Sequence, residues 1–515
     1  MSLTQVHPPL LLRACYTCSC LVLPKTTPSL SRIPLQRQEC FSQRHFHCAT
    51  STANSSLARE KSYSFSRRSQ LRTLTSVGGK KAGHEMPDSM SHNPEGKDVD
   101  IMQLVGKHRK RYTSVYSWGF TYTGALGVPA YFFPTKRKNA IRKPKKFQST
   151  PYKLKFDEKI TTAACGYGFT LIGSNTLDTQ KVWGMGINTN SQLGYQPKAE
   201  TSVEGMHTII SPTPIHLPLM FPRKTRVTQV DCGRAHSLIL TDEEGVFSLG
   251  NNAHGQCGRP VIENEDYSSN KVVHNIKGIE GKVTQIACGH DHSLFLTDAG
   301  HVYSCGWGAD GQTGLGHYGD TSIPKRLEGD IKDVPITQIS TFADCCLAIS
   351  DQGELFGWGN SEYNQLKCIT EETQVYEPRH IPFKEVGKVT SASTGGTICA
   401  LTNDAGEVWV WGYGFLGRGP KLTDTATPEC IDMNLFGKSP SKTDVAVTRV
   451  WCGLHYFAAV TNKGDLYTWG TNGSGCLGLG QLHSQYFPLK VSLPGQVTHV
   501  ACGVDHTLAL VKKDL

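Results

Sequence analysis

The stretch Val283–Gly316 decides the fold of this chain and reads V-T-Q-I-A-C-G-H-D-H-S-L-F-L-T-D-A-G-H-V-Y-S-C-G-W-G-A-D-G-Q-T-G-L-G. Its apolar and β-branched residues predict strands over Val283–Cys288 and Ser293–Thr297. Asp298–Gly300 predicts a turn, and His301–Cys305 predicts a third strand that ends in a glycine-rich corner. Turn signals at this close spacing are typical of an all-β fold.

The same pattern recurs along the chain through two markers, a Cys-Gly pair that closes the first strand and an aromatic-Gly pair that closes the third. Copies of the first marker begin at Cys165, Cys232, Cys288, Cys452 and Cys502, with degenerate copies at Thr341 and Thr394. Copies of the second marker lie at Trp118-Gly119, Trp183-Gly184, Trp411-Gly412 and Trp469-Gly470, with weaker copies at Leu249-Gly250, Cys305-Gly306 and Gly357, which precedes Trp358-Gly359. Each marker therefore occurs seven times.

The spacing of the markers predicts the architecture. Cys502 lies 337 residues and six steps after Cys165, so the repeat averages about 56 residues, slightly longer than the roughly 40–50 residues of many propeller blades. The pattern begins with a second marker at Trp118 and ends after a first marker at Cys502, so whole blades require the two ends to pair. We predict a seven-bladed β-propeller in which a strand around Val115–Gly119 joins the last blade and removes the exposed sheet edge.

Charge divides the chain into a basic front and a mildly acidic body. Residues 1–156 carry a net charge of +19 and the remainder a net charge of −10. Residues 1–84 hold 12 Lys and Arg, many Ser and Thr, and only Glu39 and Glu60 as acids. This composition predicts a mitochondrial transit peptide in a disordered leader over 1–84, then a polar linker over 85–110 and the propeller over 111–515.

Other destinations remain as alternatives to mitochondrial import. A disordered cytosolic or nuclear tail has a similar composition, and Leu10–Leu23 is a weak secretory signal because Arg13 and three cysteines interrupt it. No apolar run of about 18 residues occurs, so we expect no transmembrane helix. Peripheral association with a membrane stays open.

A basic segment interrupts the repeat over residues 136–155, within a region (101–156) that holds 13 Lys and Arg but no acid. A solvated loop between blades, a contact for an anionic membrane and an RNA contact all fit this composition. Phe147 and Tyr152 interleave with the lysines and suit stacking on bases. The candidate phosphate-contacting residues are Lys136, Arg137, Lys138, Arg142, Lys143, Lys145 and Lys146.

Motifs of cofactor and metal chemistry are absent or belong to the repeat. The cysteines of the first marker predict small buried free thiols, and Cys15-x-x-Cys18 lacks the second pair that a zinc site needs. Matches to G-x-G-x-x-G at Gly306–Gly311, Gly412–Gly417 and Gly473–Gly478 fall in the repeat's own turns with no helix after them. We expect no cofactor, no metal site and no covalent enzyme chemistry.

The repeats resemble those of the regulator-of-chromosome-condensation family, a family of seven-bladed propellers, over about residues 112–511. The resemblance rests on C-G-R-A-H-S-L-I-L-T-D, G-V-F-S-L-G-N-N-A-H-G-Q-C-G and C-G-V-D-H-T-L-A-L. Other stretches, among them F-G-W-G-N-S-E-Y-N-Q-L and W-C-G-L-H-Y-F-A-A-V-T-N-K-G, resemble mitochondrial members of the family.

That closer resemblance implies two activities. The first is guanine-nucleotide exchange on a mitochondrial dynamin-like GTPase, in support of inner-membrane fusion. The second is stabilisation of large-subunit (16S) rRNA, together with mitochondrial ribosome assembly factors, in support of mitochondrial translation. Both place the protein in the matrix or at the inner membrane and act by binding rather than by covalent chemistry.

The resemblance also implies a contact surface, because the Cys-Gly corners of the nuclear exchange factor of this family contact its GTPase. A structural role competes for the histidines, since a His after each corner can instead lock neighbouring blades together. The corners at Tyr167, Phe342 and Gly395 lack this His, so the surface differs from the nuclear one. The candidate residues are Arg234, His236, His290, Asp291, His292, His455, Asp505 and His506, of which Arg234, His290, Asp291 and Asp505 are expected to be less needed by the fold.

Overall fold

A computed structural model describes residues 112–131, 144–156, 158–196 and 207–513, all within one unit, Asp100–Leu515. These residues form seven four-stranded antiparallel sheets around a central channel, which the innermost strands line. The predicted seven-bladed β-propeller is therefore confirmed. The predicted leader (1–84) and linker (85–110) lie outside the described residues.

We number the strands β1–β28 in chain order and the blades from the one that holds both the first and the last of these strands. Blade 1 contains β1 (Tyr112–Phe120), β2 (Phe147–Lys153), β27 (Gln496–Cys502) and β28 (His506–Lys513). Blade 2 contains β3 (Thr162–Cys165), β4 (Phe169–Gly173), β5 (Val182–Ile187) and β6 (Thr208–Ile215). Blade 3 contains β7 (Val227–Cys232), β8 (His236–Thr241), β9 (Val246–Gly250) and β10 (His274–Asn275).

Blade 4 contains β11 (Val283–Cys288), β12 (His292–Thr297), β13 (Val302–Gly306) and β14 (Thr321–Arg326). Blade 5 contains β15 (Ile336–Thr341), β16 (Cys345–Ser350), β17 (Leu355–Asn360) and β18 (Gln374–Ile381). Blade 6 contains β19 (Val389–Thr394), β20 (Ile398–Asn403), β21 (Val408–Tyr413) and β22 (Asp424–Ile431). Blade 7 contains β23 (Val447–Cys452), β24 (Tyr456–Thr461), β25 (Leu466–Gly470) and β26 (Gln485–Lys490). Short 3-10 turns lie at Pro129–Tyr131, Gly329–Ile331 and Met433–Phe436.

The two ends of the propeller chain close the ring within blade 1, as predicted. Strand β1 lies between β28 and β2, and its register with β28 runs from Tyr112 opposite Lys513 to Gly119 opposite His506. The Phe120 amide extends the ladder by donating to Asp505 O at 2.9 Å. Because β1 comes from the start of the propeller and β28 from its end, this pairing leaves no blade incomplete.

The first three strands of blade 4 match their predicted positions, but a fourth strand was not predicted. Strand β11 has the predicted bounds, and β12 and β13 differ from them by one residue. The fourth strand, β14, has the sequence T-S-I-P-K-R and is only half buried. A polar outer strand that contains proline lacks the alternation by which strands are identified in a sequence.

The register of the third strands corrects two of the predicted aromatic-Gly markers. Gly306 lies opposite His292, and the residues in the same place are Gly186 in blade 2 and Gly359 in blade 5. The markers are therefore Met185-Gly186 and Trp358-Gly359, whereas Trp183-Gly184 and Gly357 lie two residues too early. Glycine is required here because a Cβ on Gly306, whose φ is +116°, would lie 2.4 Å from Asp291 O.

Small thiols pack at the ends of five innermost strands. These cysteines are free and buried, as the repeat predicts; they are Cys165, Cys232, Cys288, Cys452 and Cys502. Together with the buried indoles at the ends of third strands, such as Trp358 and Trp411, they fill the space between consecutive blades.

Candidate functional site

The candidate site is the end of the channel where the first and second strands of each blade are joined. We call each joint a corner, number its residues from the Cys of Cys-Gly-x-x-His, and call this end of the channel the mouth. Backbone hydrogen bonds link successive corners: Arg234 N donates to His290 O (3.0 Å), His290 N to Ala343 O (3.1 Å) and Gly396 N to Leu454 O (2.8 Å). These bonds join blade 3 to blade 4, blade 4 to blade 5 and blade 6 to blade 7, and they hold those corners in fixed positions.

In blades 3, 4 and 1 a histidine at the fifth corner position locks the blade to the next one. His236, His292 and His506 are completely buried. His236 Nε2 lies 3.1 Å from Ser293 Oγ, and because that hydroxyl donates to Gln256 O, it must accept from the imidazole. The equivalent contacts are His292 Nε2 to Cys346 Sγ (3.3 Å) and His506 Nε2 to Thr170 Oγ1 (2.9 Å). These three histidines, predicted as partner contacts, are thus out of a partner's reach and hold the fold together.

The second corner residue must be glycine because the imidazole of the fifth residue packs against it. A Cβ on Gly289 would lie 2.0 Å from His292 Cε1, and a Cβ on Gly233 would lie 2.3 Å from His236 Cε1. No side chain fits at these distances. The Cys-Gly-x-x-His motif is therefore one packing unit in which the ring lies flat against the glycine.

His455 occupies a different corner position from the other predicted histidines. In blade 7 the fifth position is Tyr456, which lies opposite Gly470 as His292 lies opposite Gly306. Tyr456 takes over the locking role, because its hydroxyl donates to His506 O at 2.8 Å. His455 is one residue earlier and exposed, with Nδ1 3.3 Å from Thr397 Oγ1. Of the predicted histidines, His455 is the one most exposed to solvent.

Arg234 and Asp291 form an ion pair in which only the arginine faces solvent. The Arg234 side chain is 56% exposed, whereas Asp291 is 3% exposed and also accepts from Gln256 Nε2 at 3.2 Å. Burial raises the pKa of Asp291, and the Arg234 guanidinium opposes this shift. The expectation that the fold has little need of Asp291 is wrong, because its carboxylate lies beneath Arg234 and fixes the arginine in place.

A second polar chain crosses the mouth from blade 2 to blade 5. His290 Nδ1 donates to Asp344 Oδ2 at 2.7 Å, and the Tyr167 hydroxyl donates to His290 Nε2. The Tyr167 ring also stacks on Phe342 with 5.8 Å between centroids. Although burial disfavours the charged form of Asp344, His290 holds the pKa of that carboxyl below its usual value.

Sequence reasoning missed Tyr167 and Asp344 because it set aside the corners that lack the fifth-position histidine. The signal lay at the third and fourth corner positions. A polar residue at the third position of one blade contacts a carboxylate at the fourth position of the next, as in Arg234–Asp291 and His290–Asp344. Comparing corner positions across blades, rather than searching for histidine, would have found both pairs.

The opposite side of the mouth lacks these cross-links among the described residues. Asp505 is at a fourth position and 23% exposed, and it accepts from Nδ1 of its own neighbour His506 at 3.0 Å. The third position of the preceding blade, which would supply a cation, is Leu454. Blades 7 and 1 therefore present Leu454, His455 and Asp505 along a rim with fewer polar bonds between corners.

The basic segment lies partly outside the described residues, which exclude Lys136, Arg137, Lys138, Arg142 and Lys143. Lys145 and Lys146 are exposed near the mouth, where Lys146 O accepts from Thr121 N at 3.1 Å. Partial desolvation lowers the pKa of Lys145, whose ammonium lies 5.2 Å from the Tyr131 ring centroid.

The end of the basic segment is not a loop. Residues 147–153 form strand β2 in blade 1. Phe147, predicted to stack on bases, packs on Phe120 with 5.8 Å between ring centroids. Tyr152 packs on Tyr131 with 5.6 Å between ring centroids. Both aromatic rings therefore already have partners within the fold.

Within the described ranges, no group of His, Cys, Asp and Glu side chains could hold a metal ion. The same part of the chain contains no helix with the length and hydropathy of a membrane span.

Two protein-family models match this chain, and together they cover the propeller. The model of the regulator of chromosome condensation (RCC1) repeat matches residues 114–172, 181–240 and 243–296. The model of the RCC1-like domain matches residues 281–514.

Similar proteins and structures cover most of the chain. The "RCC1-like G exchanging factor-like protein" of Mus musculus is 54% identical over 418 residues, which are 81% of this chain and 91% of that protein. The Homo sapiens protein of the same name is also 54% identical over 418 residues, 90% of its length. The crystal structure of human WBSCR16 has a TM-score of 0.75, with 54% identity over 78% of this chain and all of that chain. Prp20p from Saccharomyces cerevisiae, at 20% identity and a TM-score of 0.61 over 78% of this chain and 92% of that one, shares the fold.

Proposed function

Since this chain belongs to the family of proteins built from RCC1 repeats, we propose that it is a guanine-nucleotide exchange factor that acts through its mouth. The name of the relatives that are 54% identical to it, and that it matches over about nine-tenths of their length, supports exchange. The observation that carries the proposal is the set of backbone hydrogen bonds at the corners of blades 3, 7 and 1, which hold Arg234, His455 and Asp505 at fixed places on the rim.

Exchange requires binding alone. A rim that binds the nucleotide-free GTPase more tightly than the loaded form must, by thermodynamic linkage, weaken nucleotide binding by the same factor. Rigidity favours this action, because an ordered surface loses little conformational entropy on binding. Arg234 suits an acidic contact on the GTPase, and Asp505 suits a basic one.

We propose a mitochondrial dynamin-like GTPase as the partner and the matrix or inner membrane as the location. The resemblance of the quoted repeat stretches to mitochondrial members of the family supports the partner. The Arg- and Ser-rich, acid-poor composition of residues 1–84 supports import.

His455→Ala is expected to slow catalysed release of labelled GDP from the GTPase about tenfold, which corresponds to about 1.4 kcal/mol of lost contact energy. Because His455 is exposed, its loss should leave the melting temperature unchanged. His216→Ala is the matched control, since His216 is an exposed histidine in the connection between β6 and β7, at the opposite end of the channel. Equal exchange rates for both variants would place the contact away from blade 7.

A second candidate function is binding of mitochondrial large-subunit rRNA during ribosome assembly. The exposure of Lys145 and Lys146 next to the mouth supports it, because they extend a segment with no acidic residue. This contact would depend on phosphate charge and therefore on salt.

Changing Lys143, Lys145 and Lys146 to Gln is expected to weaken RNA binding and to flatten its salt dependence. Each lost phosphate contact should reduce the slope of log K against log salt by about 0.7 for single-stranded RNA. Filter binding at several salt concentrations measures this slope. Lys277→Gln with Lys282→Gln removes two exposed lysines from the opposite end of the channel and should leave the slope unchanged; an unchanged slope in the first variant would contradict the assignment.

A further inference from the structure

A band of side chains lies three residues before each corner, and all of its members except Ser391 line the central channel. We call this band the girdle. Its members are Thr162, Gln229, Gln285, Gln338, Ser391, Arg449 and His499. All but one are uncharged residues of small or moderate size. Arg449 is the exception, and it lies on β23 in blade 7.

Most of the girdle fastens each innermost strand to the next one. Gln285 Nε2 donates to Ile339 O at 2.8 Å, while Ile339 N donates to Gln285 Oε1 at 3.0 Å. The same pair of bonds joins Gln229 to Ile286. Single bonds of the same kind join Gln338 to Ala392 O (2.9 Å), His499 Nε2 to Ala163 O (3.0 Å) and Val230 N to Thr162 Oγ1 (3.3 Å).

The hydrogen bonds between girdle residues and neighbouring strands are missing at two consecutive members, Ser391 and Arg449. Ser391 is buried and its hydroxyl finds no hydrogen-bond partner among the described residues. By the repeat, Arg449 should bond the backbone of Val500 in blade 1, but no described residue forms a hydrogen bond or an ion pair with its guanidinium. The guanidinium instead lies 5.2 Å from the ring centroid of Trp451. Its five N–H donors are therefore unused by the fold.

The groups around Arg449 leave its charge unbalanced. The side chain is exposed to the channel, whose walls desolvate it in part and lower its pKa. Burial, assisted by the charge of Arg449, lowers the pKa of His499 to about 4, so this neighbour stays neutral. Asp231 lines the same channel but forms no ion pair with Arg449. A partly desolvated guanidinium without a carboxylate binds oxyanions well, because its planar N–H groups match two oxygens at once.

We propose that Arg449 binds a phosphate-type oxyanion inside the central channel, at a site separate from the mouth. Trp451 lies two residues nearer the mouth than Arg449 and also lines the channel. The channel cavity measures about 150 Å³, which suits free inorganic phosphate better than a phosphate group carried by a nucleotide. The site exists because the girdle bond is missing at this position. A glutamine at 449 would instead use its amide to bond the backbone of Val500.

The test uses Arg449→Gln in the full chain. This variant restores the residue of blades 3, 4 and 5, so it should fold normally and melt at the same or a higher temperature. Titration calorimetry with inorganic phosphate, at constant ionic strength set with chloride, is expected to show binding to the wild type and at least a tenfold weaker affinity in Arg449→Gln. Arg449→Lys keeps the positive charge but lacks the planar guanidinium, so its phosphate affinity should lie between those of the wild type and Arg449→Gln. Arg223→Gln removes an exposed arginine between β6 and β7 and should bind as the wild type does.

Two results would overturn the site: wild-type protein that does not bind phosphate, and an Arg449→Gln variant that binds it equally well. A parallel titration with GDP separates the sources of the anion. Phosphate binding that GDP does not displace supports a free anion. GDP binding with the same dependence on Arg449 supports the phosphate group of a larger ligand at the same residue. Neither outcome depends on the exchange assay.

Discussion

Gly289→Ala is expected to lower the free energy of unfolding by about 3 kcal/mol, at the upper end of what overpacking usually costs. The added Cβ would lie 2.0 Å from His292 Cε1 and 2.4 Å from its Nδ1, and 2.6 Å from Ala343 O. Both obstacles are fixed, because the imidazole is completely buried and the carbonyl accepts from His290 N. Relief of the clash must therefore displace His292 and break its contact with Cys346, which joins blade 4 to blade 5.

Gly473→Ala is the control for this substitution. No heavy atom lies within 4 Å of a Cβ built on Gly473, and its backbone is not in the left-handed region. Chemical denaturation of both variants should show a change within about 0.5 kcal/mol for Gly473→Ala. A comparable stability of Gly289→Ala would mean that the corner can relax, and the account of Cys-Gly-x-x-His as one packing unit would fail.

The fold was predictable because each blade needs the same few residues at the same places. The glycine of the second marker avoids a carbonyl, the glycine of the corner avoids an imidazole, and the cysteine fits between blades. Each requirement is steric and restricts the residue type at its position, so it can be recognised in the sequence. Outermost strands such as β14 face solvent on one side, where many residues are acceptable, so they leave no comparable signature and were missed.

The candidate site was predictable only in part, for a related reason. The corners were located, but exposure of their side chains depends on how neighbouring blades meet. Asp291 appeared free because its partner Arg234 lies 57 positions earlier, in another blade. His455 appeared equivalent to His236 because a pattern search tolerated a shift of one residue, and in a strand that shift reverses the side of the sheet.

The same packing that buries His236 and His292 makes the stability of the propeller sensitive to acid. Burial lowers the pKa of His236 to about 3 and that of His292 to about 4, each below the ordinary value of 6.5. In the unfolded chain both imidazoles become protonated as the pH falls through 6.5, whereas in the folded protein they stay neutral. Acid therefore favours the unfolded state, and the stabilising contribution is lost progressively below about pH 6.5.

His236→Gln is expected to remove the part of this dependence that His236 causes. Between pH 7 and pH 4 the wild type should lose about 3 kcal/mol more than the variant, since each pKa unit corresponds to about 1.4 kcal/mol. Glutamine keeps a donor for Ser293 Oγ but cannot be protonated, so the variant should be less stable at pH 7 and closer to the wild type at pH 4. Denaturation curves at several pH values measure this, with His317→Gln as the control because His317 is exposed. A constant difference at all pH values would mean that His236 has the same protonation state in both forms of the chain, and that the lock at this corner comes from packing alone.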